Sequence, residues 1–301
     1  FSCTDWFQKD LPSMLQVTSK EQHAAGQQKV LEKWVQEKSI DESTVVWANL
    51  PQQDCIGRFY QTPPATLKNA RKVAKMELRN LLPIDLDELE IIQYLDEELP
   101  SASRARPVAA VAIRKTRLAD RLGLFVGAGI SVSHLQCDAI AIVNCLAHEF
   151  GQYLEGKTTR LFPGKKSDES EDESFFDETR VPGFHVIDAG VSSATLMGIG
   201  RGRFWFQSCE AGSERLISEL ARSASCTQKD AAQMLMNPAL CESPDEAFQP
   251  VFQRMEAAAI RIDQIKKRMA GTVKIDTAGT WAVGGGWRSF GWIRYVLAGN
   301  K

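Results

Sequence analysis

The sequence predicts an α/β protein of about two domains, with a compact β/α unit over residues 43–128. Three observations carry that expectation. Val181 to Leu220 reads VPGFHVIDAGVSSATLMGIGRGRFWFQSCEAGSERLISEL: an apolar strand enters Asp188-Ala189-Gly190-Val191-Ser192-Ser193, two further β-like runs follow, and Gly212-Ser213 opens a helix. Between residues 43 and 128, strand and helix patterns alternate in short pieces bounded by Pro51, Pro83 and Pro107. An apolar strand at Val273 to Val283 ends on Gly284-Gly285-Gly286.

Each element has a local reason. Val30, Leu31, Trp34 and Val35 recur at helical spacing among polar residues, so 22–38 reads as a helix. Thr44 to Leu50 is a strand stopped by Pro51, and Cys55 to Tyr60 is a second, closed by Pro63-Pro64. Leu67, Ala70, Val73, Ala74, Leu78 and Leu81 share one face of a basic helix over Ala65 to Leu82, which Pro83 ends. Strands follow at Leu89 to Leu95 and Pro107 to Ile113. A helix over Leu118 to Ala128 comes next, with Gly127 or Gly129 to cap it. Ile130 to Cys137 reads as a strand and Ala139 to Leu154 as one long apolar helix. Residues 156–180, with GKKSDESEDESFFDE, cannot bury themselves and read as an acidic mobile loop. After the hairpin runs Ala194 to Ile199 and Phe204 to Cys209, helices are expected at Gln228 to Met236 and Asp245 to Arg268.

Composition bounds the function. The 301 residues carry a net charge of −2, so no basic excess exists to neutralise nucleic-acid phosphates. No apolar run reaches the roughly 18–20 residues that cross a bilayer. Seven cysteines without CxxC spacing read as reduced thiols of a cytosolic protein.

The chemistry concentrates at Asp188. Gly190 lets backbone N–H groups approach a phosphate, Ser192 and Ser193 add donors, and the carboxylate suits a metal-bound water. Other candidates fall away. His148-Glu149 begins like HExxH, but position 152 is Gln. His134 and His185 lie on strands without ligand spacing. The glycine string at 284–286 lacks GxGxxG spacing and the acidic residue a Rossmann site needs. Trp281, Trp287 and Trp292 read as packing residues. Lys68, Arg71, Lys72, Lys75 and Arg79 form a solvated helix face, with contact to anionic lipid as the minority reading.

The order of motifs resembles one family, PilM, the actin-like protein of type IV pilus assembly related to FtsA. VVWANLPQQDCIGRFYQTPP (Val45 to Pro64) is similar to the family's strand, Leu-Pro turn and second strand. AKMELRNLLPIDLDELEIIQYL (Ala74 to Leu95) resembles its helix running into an (I/L)PxxLDE motif and a strand. DAIAIVNCLAHEF (Asp138 to Phe150) resembles the helix that returns to the core. VIDAGVSSATL and CEAGSERLISEL resemble the second phosphate loop and its Gly-Gly helix, and GGGWRSFGWIRYVL (Gly284 to Leu297) the adenosine loop. The resemblance covers about residues 22 to 301.

The resemblance implies an actin-like (ribonuclease H-like) two-lobed ATPase fold with an inserted 1C-type subdomain. In these terms 1–42 is the remainder of the first lobe, 43–128 the insert, 129–155 the return to the first lobe, 156–180 the acidic loop and 181–301 the second lobe. ATP would meet Asp188, Gly190, Ser192, Ser193, Gly212, Ser213, Gly284, Gly285 and Gly286, with Asp188 on Mg²⁺ and the one candidate for a catalytic role. The departures are as informative. The family's Thr falls on Ala194, its second Gly on Ser213, the next Thr on Ile217. Its Ala-Glu-x-x-Lys pattern falls on Ala231-Ala232-Gln233-Met234-Leu235. Each lost hydrogen-bonding group costs on the order of 1–3 kcal/mol of binding. No glycine-rich first phosphate loop precedes residue 188, and the start at Phe1 reads as a chain shortened at both ends.

The function expected is therefore a scaffold rather than an efficient enzyme, with ATP/Mg binding weak or absent. It would lie in the cytoplasm, peripheral to the inner membrane. It would hold the N-terminal tail of a bitopic pilus protein (PilN-like), alongside other pilus assembly proteins. The alternatives are an active actin-like ATPase or phosphotransferase, or the related cytoplasmic component of type II secretion.

Overall fold

The computed structural model describes residues 20–38, 40–41, 43–82, 84–95, 105–155 and 181–298. The elements are α1 (Lys20–Lys38), β1 (Trp47–Leu50), β2 (Cys55–Thr62), α2 (Leu67–Leu81), β3 (Leu89–Leu95), β4 (Arg106–Arg114), α3 (Lys115–Gly127), β5 (His134–Cys137), α4 (Asp138–Glu149) and α5 (Gly151–Leu154). They continue with β6 (Val181–Ala189), β7 (Ala194–Gly200), β8 (Arg203–Cys209), α6 (Ser213–Ser223), α7 (Gln228–Met236), α8 (Pro244–Val273), β9 (Ile275–Val283) and α9 (Trp292–Ala298). The expected acidic loop at 156–180 and residues 1–19 lie outside the described residues.

The largest sheet among the described residues runs β8-β7-β6-β9. β6, β7 and β8 form an antiparallel meander, and β9 joins β6 in parallel with Asp188 opposite Val283. Period-2 alternation sends Phe184 and Val186 to one face and Ile187 and Ala189 to the other. On the first face, Met197, Ile199 and Phe206 join them under Ile140 and Val143 of α4. On the second, Leu196 and Trp205 pack on Leu216 and Leu220 of α6, Leu235 of α7 and Phe248, Val251 and Met255 of α8. β7 is buried at every position, which explains its unbroken run of apolar and small residues. Gly198 is part of that packing: a Cβ there would lie 2.1 Å from Trp205 Nε1, so the indole lies directly over the glycine.

The insert is a three-stranded antiparallel sheet, β2-β4-β3. Leu78 and Leu82 at the end of α2 pack on Leu89, Ala110 and Ala112 of one face. The other face leans on the second lobe. Phe59 meets Phe204 and Phe206 edge-on at centroid distances of 6.1 and 5.2 Å, and Tyr94 meets Phe204 at 5.6 Å. Gln61 Nε2 donates to the Thr272 carbonyl at 3.0 Å across the same seam.

Three placements differ from the sequence expectation. The strand ending at Leu50, expected within the insert, pairs in parallel with β5. The helix expected over 118–128 begins at Lys115 and packs its C-terminal half on α1: Phe125 and Ala128 meet Leu31, Trp34 and Val35. Gly129, at φ 77°, ends that helix, and the Ile130 N–H donates to the Phe125 carbonyl at 2.9 Å. The long helix expected over 139–154 is broken at Phe150 into α4 and α5. α4 packs on β1 and β5 and also covers one face of the central sheet. Such pairings are non-local, so periodicity along the chain contains no information about them.

His185 on β6 gives the fold a pH dependence. Its ring lies 5.6 Å from that of Trp205. Burial, reinforced by the Lys266 ammonium, depresses its pKa from 6.5 to about 4. Between those values only the unfolded chain takes up the proton. The stabilisation is therefore complete above pH 6.5 and is lost as pH falls towards about 4. The full loss is about 3 kcal/mol. Urea titrations across this window should show His185→Gln with a flatter pH dependence than the wild type.

Candidate functional site

All the sequence-predicted site residues gather at one edge of the central sheet. β6 and β9 are parallel, so their C-terminal ends and the loops that follow lie side by side. Crevices at such strand ends are where open α/β sheets place ligands. Asp188 is the penultimate residue of β6, and Gly190 to Ser193 form the tight connection to β7, closed by the Gly190 N–H donating to the Ser193 carbonyl at 3.0 Å. Ser192 is exposed and Ser193 half-buried.

Gly212 brings α6 against this turn. A Cβ on it would lie 2.2 Å from the Val191 carbonyl oxygen. The first N–H groups of α6 are then used within the chain: Ser213 donates to the Gly190 carbonyl at 3.2 Å and Glu214 to the Val191 carbonyl at 2.9 Å. A helix start offers four such donors to an anion. Here two of them already have carbonyl partners.

The three glycines after β9 divide their roles. Gly284, at φ 91°, lies on the Asp188 carboxylate, since a Cβ would fall 2.2 Å from Oδ1. Gly286 lies on the Ala189 carbonyl, with a Cβ at 2.7 Å from its oxygen. Gly285 faces open space. Two of the three are thus required by protein packing, and one remains free to approach a ligand. Trp287 Nε1 donates to the carbonyls of Val283 at 2.7 Å and Ile187 at 3.2 Å, so its indole lies across the ends of both parallel strands.

A residue that sequence reasoning left out acts on Asp188. Asp138, the first residue of α4, stands close enough to Asp188 to act on it electrostatically. Burial raises the Asp188 pKa above the ordinary carboxylate value, and the Asp138 charge adds to the rise. Burial raises Asp138 as well, opposed by a hydrogen bond from the Gln52 backbone N–H and by the Arg121 guanidinium. Arg121 in turn stacks over Phe125, 5.5 Å from the ring centroid. The sequence signal was available: an acidic residue opening the apolar helix that enters the core. Among the described residues no group of three or more His, Cys, Asp and Glu side chains gathers as a metal site.

The positions where the resemblance lost polar groups are occupied by packing. Ala194 is buried opposite Ala189 in the hairpin. Ile217 packs against the second-lobe core, and Leu235 lies within it. The Leu235 carbonyl accepts from the Phe290 N–H at 2.8 Å, which ties α7 to the loop before α9.

No family model and no curated protein matches the chain. Among solved structures it is similar to the PilM–PilN type IV pilus biogenesis complex, with a TM-score of 0.69 and 17% identity over 97% of this chain and 77% of that one. It also matches the ethanolamine utilization protein EutJ from Carboxydothermus hydrogenoformans, at 16% identity over 60% of this chain and 53% of that one, with a TM-score of 0.39. A third match is the cytoplasmic domain of EpsL, an inner membrane component of the type II secretion system of Vibrio cholerae, at 11% identity over 64% and 62% and a TM-score of 0.37. The first likeness spans nearly the whole chain and shows the fold: the two-lobed actin-like α/β architecture with its inserted subdomain. No helix among the described residues is long and apolar enough to cross a membrane.

Two measurements check this geometry. Gly284→Ala combines a left-handed backbone with a clash on Asp188 and should destabilise by about 1–3 kcal/mol, whereas Gly285→Ala should stay within about 0.5 kcal/mol of the wild type. Thermal unfolding of both variants decides it. For Asp188, a raised pKa means that the folded chain holds the proton more tightly than the unfolded one, so acid favours folding and neutral pH penalises it. Asp188→Asn should therefore raise the unfolding free energy at neutral pH by about 0.5–2 kcal/mol. That gain should shrink as pH approaches the ordinary carboxylate range, as read by urea titration.

Proposed function

We propose that this chain is a cytoplasmic scaffold of type IV pilus assembly, lying against the inner membrane through a bitopic partner whose N-terminal tail it captures. The observation that carries the proposal is the likeness to the PilM–PilN complex over 97% of the chain. A fold retained over that length beside an eroded phosphate site is what a binding protein needs and a phosphotransfer enzyme does not. The erosion is specific. Two α6 donors are taken by the turn's own carbonyls, and the ribose-side Glu and Lys of the resembling family are Ala232 and Leu235, the latter in the core. ATP and Mg²⁺ are accordingly held weakly or not at all.

The second reading, an actin-like ATPase or phosphotransferase, is favoured by the Asp138–Asp188 pair alone. In it these carboxylates would hold a hydrated Mg²⁺, which would supply charge neutralisation at phosphate oxygens. Calorimetric titration separates the two. A scaffold should bind the N-terminal tail peptide of a bitopic pilus membrane protein with a Kd of about 1–10 µM, and Mg·ATP no tighter than about 1 mM. Micromolar ATP binding with turnover that Asp188→Ala abolishes would replace the scaffold with the enzyme.

A further inference from the structure

We propose that the solvent face of α2 is a contact surface for a lipid bilayer carrying anionic headgroups. The buried side of the helix is settled: Ala70, Ala74 and Leu78 are 0%, 0% and 1% exposed against the insert sheet. At about 100° per residue, Lys68, Arg71, Lys72, Lys75 and Arg79 fall within an arc of roughly 100°. All five are exposed. Glu77, the one acidic residue of the helix, lies about 170° from the middle of that arc on the same geometry.

Elsewhere on the helices, exposed lysines pair with carboxylates one turn away. On α1, Lys33 pairs with Glu37 at 3.3 Å, and on α8, Lys267 pairs with Asp263 at 2.7 Å, each one turn apart. An ordinary polar face alternates signs in that way. The α2 stripe holds five cations and no carboxylate, within a chain whose net charge is −2. The charge is therefore local to one face rather than a property of the whole protein. The face is also presented rigidly, because the Tyr60 hydroxyl donates to the Ala74 carbonyl at 2.6 Å and ties the helix to β2.

The chemistry of the face selects the partner. It is convex and about 22 Å long, and it matches a plane of phosphates better than a groove. Met76, 70% exposed, borders the cations beside Lys72 and offers an apolar group at headgroup depth. The face carries no aromatic residue on which a base could stack, which disfavours single-stranded nucleic acid. Each Lys or Arg held near an anionic leaflet strengthens partition roughly fivefold, and salt weakens it within a Debye length.

Vesicle flotation of the whole chain tests the proposal without any partner protein, so its outcome is separate from that of the scaffold reading. The wild type should float with vesicles of phosphatidylcholine mixed with phosphatidylglycerol, should stay behind with phosphatidylcholine alone, and should be released by added salt. The triple variant Lys68→Glu, Lys72→Glu, Lys75→Glu should lose at least about a hundredfold in partition while its thermal unfolding is unchanged. Met76→Ser should lose severalfold with all charges in place. Failure of the wild type to float on anionic vesicles at low salt would overturn the proposal, as would undiminished floating of the triple variant. Tighter binding of the wild type to duplex DNA than to vesicles of equal phosphate concentration would reassign the stripe and overturn it too.

Discussion

The parallel pairing of β6 with β9 is the constraint on which the site depends. These strands are separated in sequence by the hairpin and by α6, α7 and α8, yet they lie side by side with Asp188 opposite Val283. A parallel pair cannot be closed by a tight turn, and the intervening helices supply the crossover. Once paired, the two strands present their following loops at the same edge. The Asp188 turn and the triple glycine then meet with no space for a side chain between them. Packing and site are therefore the same contact, and neither can be altered without the other.

That identity means the shape of the turn does not depend on a bound phosphate. Gly284 and Gly286 lie against Asp188 and Ala189, and Gly212 lies against Val191 and Ser192. These close approaches stabilise the fold whether or not a ligand arrives. The polar positions around them have no such second role. Ala194, Ile217 and Leu235 join the core instead, where apolar side chains add to packing and polar ones would need buried partners.

The insert adds a mechanical consequence. Its sheet is joined to the first lobe by the chain on either side of it, and its outer face rests on Phe204 and Phe206 of β8. A subdomain attached to one lobe and packed on the other resists their relative movement. Edge-to-face aromatic contacts of this kind are each worth about 0.5–1.5 kcal/mol beyond their area. For an enzyme that opens and closes around a nucleotide this would be a hindrance. For a scaffold that must offer one fixed surface it is an asset, and the rigid basic face of α2 belongs to that same insert.

The local elements were legible in the sequence because their causes are local. Apolar spacing marked α1, α2 and α8, prolines marked the ends of β1 and α2, and the Asp188 hairpin announced itself through its glycines. The family's motif order carried the overall fold, and the glycine positions of the site were read from it. What only the tertiary structure decided is partnership. Periodicity shows that Trp47 to Leu50 is a strand but not that its neighbour is His134 to Cys137. It shows that Ala139 to Val143 is an apolar helix face but not that this face covers the central sheet, where the Asp138 charge acts on Asp188. Nor does it show that the α6 donors turn inward to the Gly190 and Val191 carbonyls. Side-chain pattern reports which face of an element is buried. Which other element buries it is settled by long-range packing, whose terms are distributed over residues far apart in the chain.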